Sequence, residues 1–210
     1  LSHRERLDRA STLMRLYEKS GARSILYGQA LRKALDKLVY FDSFLPAGLE
    51  PPARSSLPEV LHPSGRPIMK VVFFIGCASN VFGARTVRTL LDYLVGRGVE
   101  IHLPKVNCCG EPHRTAGDEQ KTARLARSNV EKIFRGDYDF IVSDCSTCAH
   151  ALAQYDDFVG PNSAEAEAIR PRPPQVVEVN TPEPDHLRIK TDKHSPPADV
   201  KVTPHAYSPA

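Results

Sequence analysis

The chain has 210 residues, 41% of them hydrophobic and 25% charged, with 28 Lys and Arg against 25 Asp and Glu. A net charge of +3 on basic residues spread along helical stretches excludes the dense basic footprint of a nucleic-acid binder. The longest apolar runs, such as Val71 to Ile75, are far too short to span a bilayer, and no secretory h-region is present. A soluble, cytoplasmic protein is expected, attached to the inner face of a membrane, if at all, through partners.

Residues 1–45 read as a helical arm. Ser2 and Glu5 have capping-box spacing, and Leu7, Leu13, Leu16 and Tyr17 recur at helical intervals. Gly21 separates this helix from a second, whose stripe is Leu31, Leu35, Leu38 and Val39, and which Pro46 and Gly48 stop. Residues 46–69 carry Pro46, Pro51, Pro52, Pro58, Pro63 and Pro67, a spacing that predicts an extended linker.

From Lys70 the texture alternates between strand and helix. Val71–Ile75 is an unbroken apolar run of the kind buried on both faces of a parallel sheet. Val87, Leu90, Leu91 and Leu94 follow at helical spacing. Val99–Leu103 predicts a second strand and Asp118–Phe134 a second helix turning Leu125, Val130, Ile133 and Phe134 inward. Phe140–Val142 predicts a third strand, and Thr147–Phe158 a third helix. This order implies an α/β fold with a small, doubly wound parallel sheet over residues 70–160. Residues 161–210 hold no glycine and ten of the 18 prolines, and a disordered tail is expected there, with Val176–Val179 and Val200–Val202 hinting at extended structure.

All five cysteines fall inside residues 77–148: Cys77 alone, the vicinal pair Cys108 and Cys109 followed by Gly110, and Cys145 with Cys148 as C-x-x-C. Each group sits just after a predicted strand, so all three loops leave the sheet at its carboxyl edge, where open α/β sheets bind ligands. A disulfide framework would leave one thiol unpaired. Thiolates select zinc, copper(I) or iron–sulfur clusters. Zinc and an ordinary cubane each need four ligands, so on count alone one cysteine is spare or the group is unusual. A thioredoxin-like dithiol at Cys145 and Cys148 leaves the other three unexplained. His113 and His150 flank the loops, and Asp144 and Ser146 stand beside Cys145, where they could tune hydrogen bonding to sulfur.

The pattern Gly76-Cys77, Cys108-Cys109-Gly110 and Cys145-Ser146-Thr147-Cys148, with thirty residues before the pair and thirty-five after it, resembles the cysteine-rich CCG domain over residues 70 to about 158. That domain occurs in heterodisulfide reductase B subunits and in iron–sulfur subunits of glycolate oxidase, lactate-utilisation and anaerobic glycerol-3-phosphate dehydrogenase systems. The resemblance implies that Cys77, Cys108, Cys109, Cys145 and Cys148 all ligate one noncubane 4Fe-4S cluster, with no cysteine spare. Other members of the group are associated with zinc, which implies a structural zinc module as the alternative. Thiol or disulfide chemistry at the cluster, as in heterodisulfide reductases, is a further alternative.

Residues 1–68 resemble the segment that joins a two-cluster ferredoxin domain to the first CCG domain in glycolate-oxidase-type subunits. The implied role is an electron-transfer component of a flavin-linked oxidoreductase, not catalytic on its own, with FAD on a partner subunit. Ferredoxin cysteine runs and a second CCG repeat are absent from this sequence. The resemblance therefore implies a truncated or split member whose ferredoxin-type and second CCG domains lie on other chains.

Overall fold

The structure, a computed structural model, describes residues 3–28, 35–44, 48–134, 136–160, 164–169 and 175–178. The arm contains α1 (His3–Lys19), α2 (Ala22–Leu26) and α3 (Asp36–Asp42). Gly21 makes the expected break, at φ 74°. Of the predicted second helix the structure describes α2, which ends at Leu26, and α3, which carries Leu38 and Val39 of the stripe; Leu31, like Ser2 of the expected capping box and Pro46, lies outside the described residues. α2 and α3 are tied by Arg23, whose Nε donates to Asp42 Oδ2 at 2.9 Å and whose Nη2 donates to the Asp42 carbonyl at 3.0 Å. Leu13 and Leu16 of the α1 stripe are exposed, so this stripe is not turned into the core below.

The proline-rich stretch is docked where an extended linker was expected. Its strand β1 (Val60–Leu61) pairs antiparallel with β3 (Val99–His102), aligning Val60 with His102 and Leu61 with Ile101. Ala53 is fully buried, and Arg88 donates to the Pro51 carbonyl at 2.8 Å. Proline lacks an N–H but keeps its carbonyl, and the prolines here fall outside the short edge strand, so the segment can still be bonded to the domain.

β2 (Met69–Phe74) occupies the centre of a five-stranded sheet ordered β1-β3-β2-β4-β5, where β4 is Phe140–Ser143 and β5 is Gln175–Glu178. β2 runs parallel to β3 and to β4, and β4 runs parallel to β5. Alternation along the central run splits the core in two. Val71, Phe73 and Ile75 face α5 (Ala84–Gly96), through Val87, Leu90 and Leu91. Val72 and Phe74 face α7 (Glu119–Ile133), through Ala126, Val130 and Ile133. Every one of these residues is essentially inaccessible to water, which is why the run carries no polar alternation.

The first crossover also contains α4 (Cys77–Phe82), and a short helix, α6 (Glu111–Thr115), precedes α7. The third predicted helix is two: α8 (Ser146–Ala153) and α9 (Tyr155–Val159), parted at Gln154. Within the stretch expected to be a disordered tail, α10 (Ala164–Ile169) and β5 are ordered elements, β5 because the edge of β4 offers it a ladder. Val179 and the residues after it, including Val200–Val202, lie outside the described residues. Among the described residues, no helix is long and apolar enough to cross a membrane.

Candidate metal centre

The sheet reverses direction of build at β2: the chain moves outward to β3, then returns across β2 to lay down β4. The carboxyl ends of β2 and β4 therefore flank a topological switch point, the place where the loops diverge and leave a crevice. Cys77 opens α4 just past β2, Cys108 and Cys109 follow β3, and Cys145 is the N-cap of α8 with Cys148 in its first turn.

These loops bring the five sulfurs into one contact chain. Cys77 hydrogen-bonds to Cys108, Cys108 to Cys109, Cys109 to Cys148 and Cys148 to Cys145. All five are free thiols; Cys109 and Cys148 are buried, while Cys77, Cys108 and Cys145 are half-buried. Residues separated by up to 71 positions, from 77 to 148, thus share one site.

The contacts divide protons unequally. Hydrogen bonding to Cys108, then burial, pushes the Cys77 thiol well up. Bonds to Cys109 and Cys145, then burial, do the same to Cys148. Cys109 is lowered because it accepts from Cys108 and Cys148, and Cys145 is lowered to about 6, mainly by the bond from Cys148. Backbone N–H groups add to this: those of Ala78, Gly110 and Glu111 reach Cys77, Cys108 and Cys109, and those of Thr147 and Cys148 reach Cys145. Such donors favour negative charge on sulfur, as thiolate or as an anionic metal group.

The surroundings are built for close approach. A Cβ on Gly76 would stand 3.2 Å from Cys145 Cβ and 3.5 Å from Cys148 Sγ, so a side chain here would press on the C-x-x-C loop. Gly110 holds φ 99° as the N-cap of α6, with Thr122 Cγ2 at 3.4 Å from where a Cβ would be; the turn after the vicinal pair demands that residue. Asp144 Oδ1 accepts from the Gly76 N–H at 3.3 Å, and Ser143 Oγ donates to the Phe74 carbonyl at 3.0 Å. The two loops of the switch point are thereby fastened together.

Asp144 therefore bonds backbone and does not donate to sulfur; its charge opposes ionisation of Cys145. Ser146 is exposed. His113 is half-buried on α6, and half-buried His150 lies near the Glu111 carboxylate, which Arg114 grips at 2.6 to 3.1 Å. Among the described residues, no three His, Cys, Asp or Glu side chains converge as they would around a single ion. Thiols that keep their protons draw together by sharing them, whereas a metal group binds the deprotonated sulfurs. In donor type and enclosure the five sulfurs suit a thiolate-ligated metal group.

Two residues that the sequence analysis did not single out complete the site. Asn129, fully buried on α7, donates from Nδ2 to the Cys108 carbonyl at 3.0 Å and accepts the Asn107 N–H at 2.8 Å. Tyr155 at the start of α9 donates to the Cys109 carbonyl at 3.0 Å and accepts from Asn129 at 2.9 Å. Together they hold both carbonyls of the vicinal pair.

A mainly parallel α/β sheet whose switch-point loops gather five thiols defines a cysteine-rich domain with a candidate metal centre. Residues 71–153 match the family model of the Cysteine-rich domain, CCG. A relative named "Probable glycolate oxidase iron-sulfur subunit" from Bacillus subtilis is 26% identical over 156 residues, covering 73% of this chain and 35% of the relative. "Lactate utilization protein A" of Halalkalibacterium halodurans is 29% identical over 92 residues, 43% of this chain and 37% of that one. "Lactate utilization protein A 2" of Bacillus cereus is 34% identical over 88 residues, 41% and 36%. The aligned stretches thus span 35% to 37% of these relatives' length. No solved structure matches.

Proposed function

We propose that Cys77, Cys108, Cys109, Cys145 and Cys148 together hold an iron–sulfur cluster, of the noncubane 4Fe-4S kind, and that the chain relays electrons within a flavin-linked hydroxy-acid oxidoreductase. The observation that carries this reading is the single contact chain of five thiols at the switch point, each half-buried or buried. The names of the relatives, an iron–sulfur subunit of glycolate oxidase and lactate utilization proteins, support the same class of partner. On this reading the FAD that oxidises substrate sits on a partner subunit, and ferredoxin-type and second CCG domains complete the electron path.

A bound cluster supplies one-electron redox chemistry. This chain's residues do the rest. The five thiolates bind, and burial of Cys109 and Cys148 keeps water from one side. The N–H groups of Ala78, Gly110, Glu111, Thr147 and Cys148 stabilise negative charge on sulfur, which favours the reduced state and raises the potential. Asn129 and Tyr155 orient the Cys108–Cys109 backbone.

Anaerobic purification followed by iron, acid-labile sulfide and zinc analysis tests the reading. Iron and sulfide are expected in near-equal amounts, with visible absorption that each of C77S, C108S, C109S, C145S and C148S diminishes. Zinc without iron, or a site indifferent to loss of one particular cysteine, overturns it in favour of a four-thiolate zinc module.

A further inference from the structure

Arg54 lies in the short 3₁₀ turn Ala53–Ser55, ahead of the residues 71–153 that match the CCG family model. Its Nη1 donates to the Val106 carbonyl at 3.1 Å and its Nη2 donates to the Ile75 carbonyl. These carbonyls belong to different loops: Ile75 leads into Gly76 and Cys77, and Val106 leads through Asn107 into Cys108. The last aligned pair of β2 and β3 is Val72 with His102, so neither carbonyl is in the ladder between those strands. Arg54 bridges the two loops where the sheet has stopped doing so.

The same residue is anchored from behind. Its backbone N–H donates to Asn80 Oδ1 at 3.0 Å, and Asn80 Nδ2 donates to Asp8 Oδ1 on α1 at 2.9 Å. Asn80 is buried within α4, the helix that Cys77 opens. Asp8, Arg54, Asn80 and Asn107 line, together with Cys77 and Cys108, a cavity of about 20 Å³, room for about one ordered water.

We infer that Arg54 is a positioning residue for the thiolate site: its guanidinium staples the Cys77 loop to the Cys108 loop and sets the spacing of those two sulfurs. The inference rests on the reading that these cysteines form one ligand set. A planar guanidinium presents fixed, diverging donors that satisfy two carbonyls at once, whereas a lysine ammonium is a point charge on a flexible stem. The CCG stretch is in this way completed by a residue from the proline-rich segment before it, and α1 is joined to the site through Asp8 and Asn80.

The test uses the full chain, metal-free and reduced, pulsed with iodoacetamide and read cysteine by cysteine by mass spectrometry. R54M is expected to speed alkylation of Cys77 and Cys108 by about tenfold, because the loops open locally, while Cys145 changes by less than about twofold. R54K falls between R54M and wild type. A uniform change at all three cysteines, or none, overturns the inference. If R54M does not fold, by circular dichroism, R54K decides alone: wild-type rates at Cys77 and Cys108 overturn it, and selective acceleration there supports it. Wild type and R54M reconstituted with ferrous iron and sulfide should then differ in midpoint potential and electron paramagnetic resonance spectrum at equal iron per chain. Identical values overturn the claim on sulfur spacing. Failure of wild type to take up iron and sulfide sinks the cluster reading alone, since the alkylation result is obtained without metal.

Discussion

The Cys108 and Cys109 carbonyls are held by side chains that come from 21 and 46 residues further along, Asn129 and Tyr155. Each Asn129 donor is used, one on the Cys108 carbonyl and one on the Tyr155 hydroxyl, and the Tyr155 O–H in turn donates a hydrogen bond to the Cys109 carbonyl. Burial pushes the Tyr155 phenol well above its ordinary range, so the hydroxyl stays a donor at any working pH. Removing it strands a buried carbonyl and a buried amide N–H. Tyr155→Phe is expected to lower stability by about 1–3 kcal/mol, read as a urea midpoint shift at constant m-value. The cysteines were legible because a vicinal pair, a C-x-x-C and a lone partner are rare as a set. Asn129 was not, because an asparagine in a helix has no sequence mark until the fold places loop carbonyls opposite it.

At the scale of the element, one run of side chains organises the domain. Phe73 and Phe74 point to opposite faces of β2, so the same strand nucleates both half-cores. Phe74 packs with Val106, Cys109, Cys148 and Tyr155 on the side that carries the site. Phe74→Ala is expected to cost about 3–5 kcal/mol, by loss of transfer energy plus the cavity left, and to be measured by thermal or urea unfolding. The strands and the two crossover helices were readable from periodicity. The role of residues 46–69 was not: a run of six prolines reads as linker, and only the free edge of β3 turns Val60–Leu61 into a strand and buries Ala53. The same holds at the other edge, where Val176–Val179 only hinted at extended structure inside a proline-rich stretch and pairing with β4 makes Gln175–Glu178 a strand.

Across the whole molecule, that docked edge is also fastened by charge. Glu100 on β3 accepts from His102 Nε2 at 2.9 Å, lies 3.3 Å from His62 Nδ1 just past β1, and has Lys70 Nζ of β2 at 3.8 Å. The His102 bond, against the opposing effect of burial and with help from His62 and Lys70, holds the Glu100 carboxyl below its ordinary value. A carboxyl lowered in the folded state adds stability that is fully present above its unfolded pKa and is lost as pH falls through the folded one. The stability difference between wild type and Glu100→Gln should therefore be constant near neutral pH and shrink below about pH 4, which urea unfolding across pH 3–7 measures. A difference that grows on acidification would contradict this arrangement.

The sequence by itself determined the architecture of residues 70–160 and the location of the five thiols, because hydrophobic period and strand-end position are local properties of the chain. Only the tertiary structure decided how the thiols meet, what holds their loops, and that the flanking segments are part of the domain. Those are contacts between residues far apart in sequence, Arg54 with Ile75 and Val106, Asn129 and Tyr155 with Cys108 and Cys109, β1 with β3. A hydrogen bond to a loop carbonyl or a free sheet edge is indifferent to the identity of the residue that offers it. No residue pattern records such a bond before folding brings the partners together.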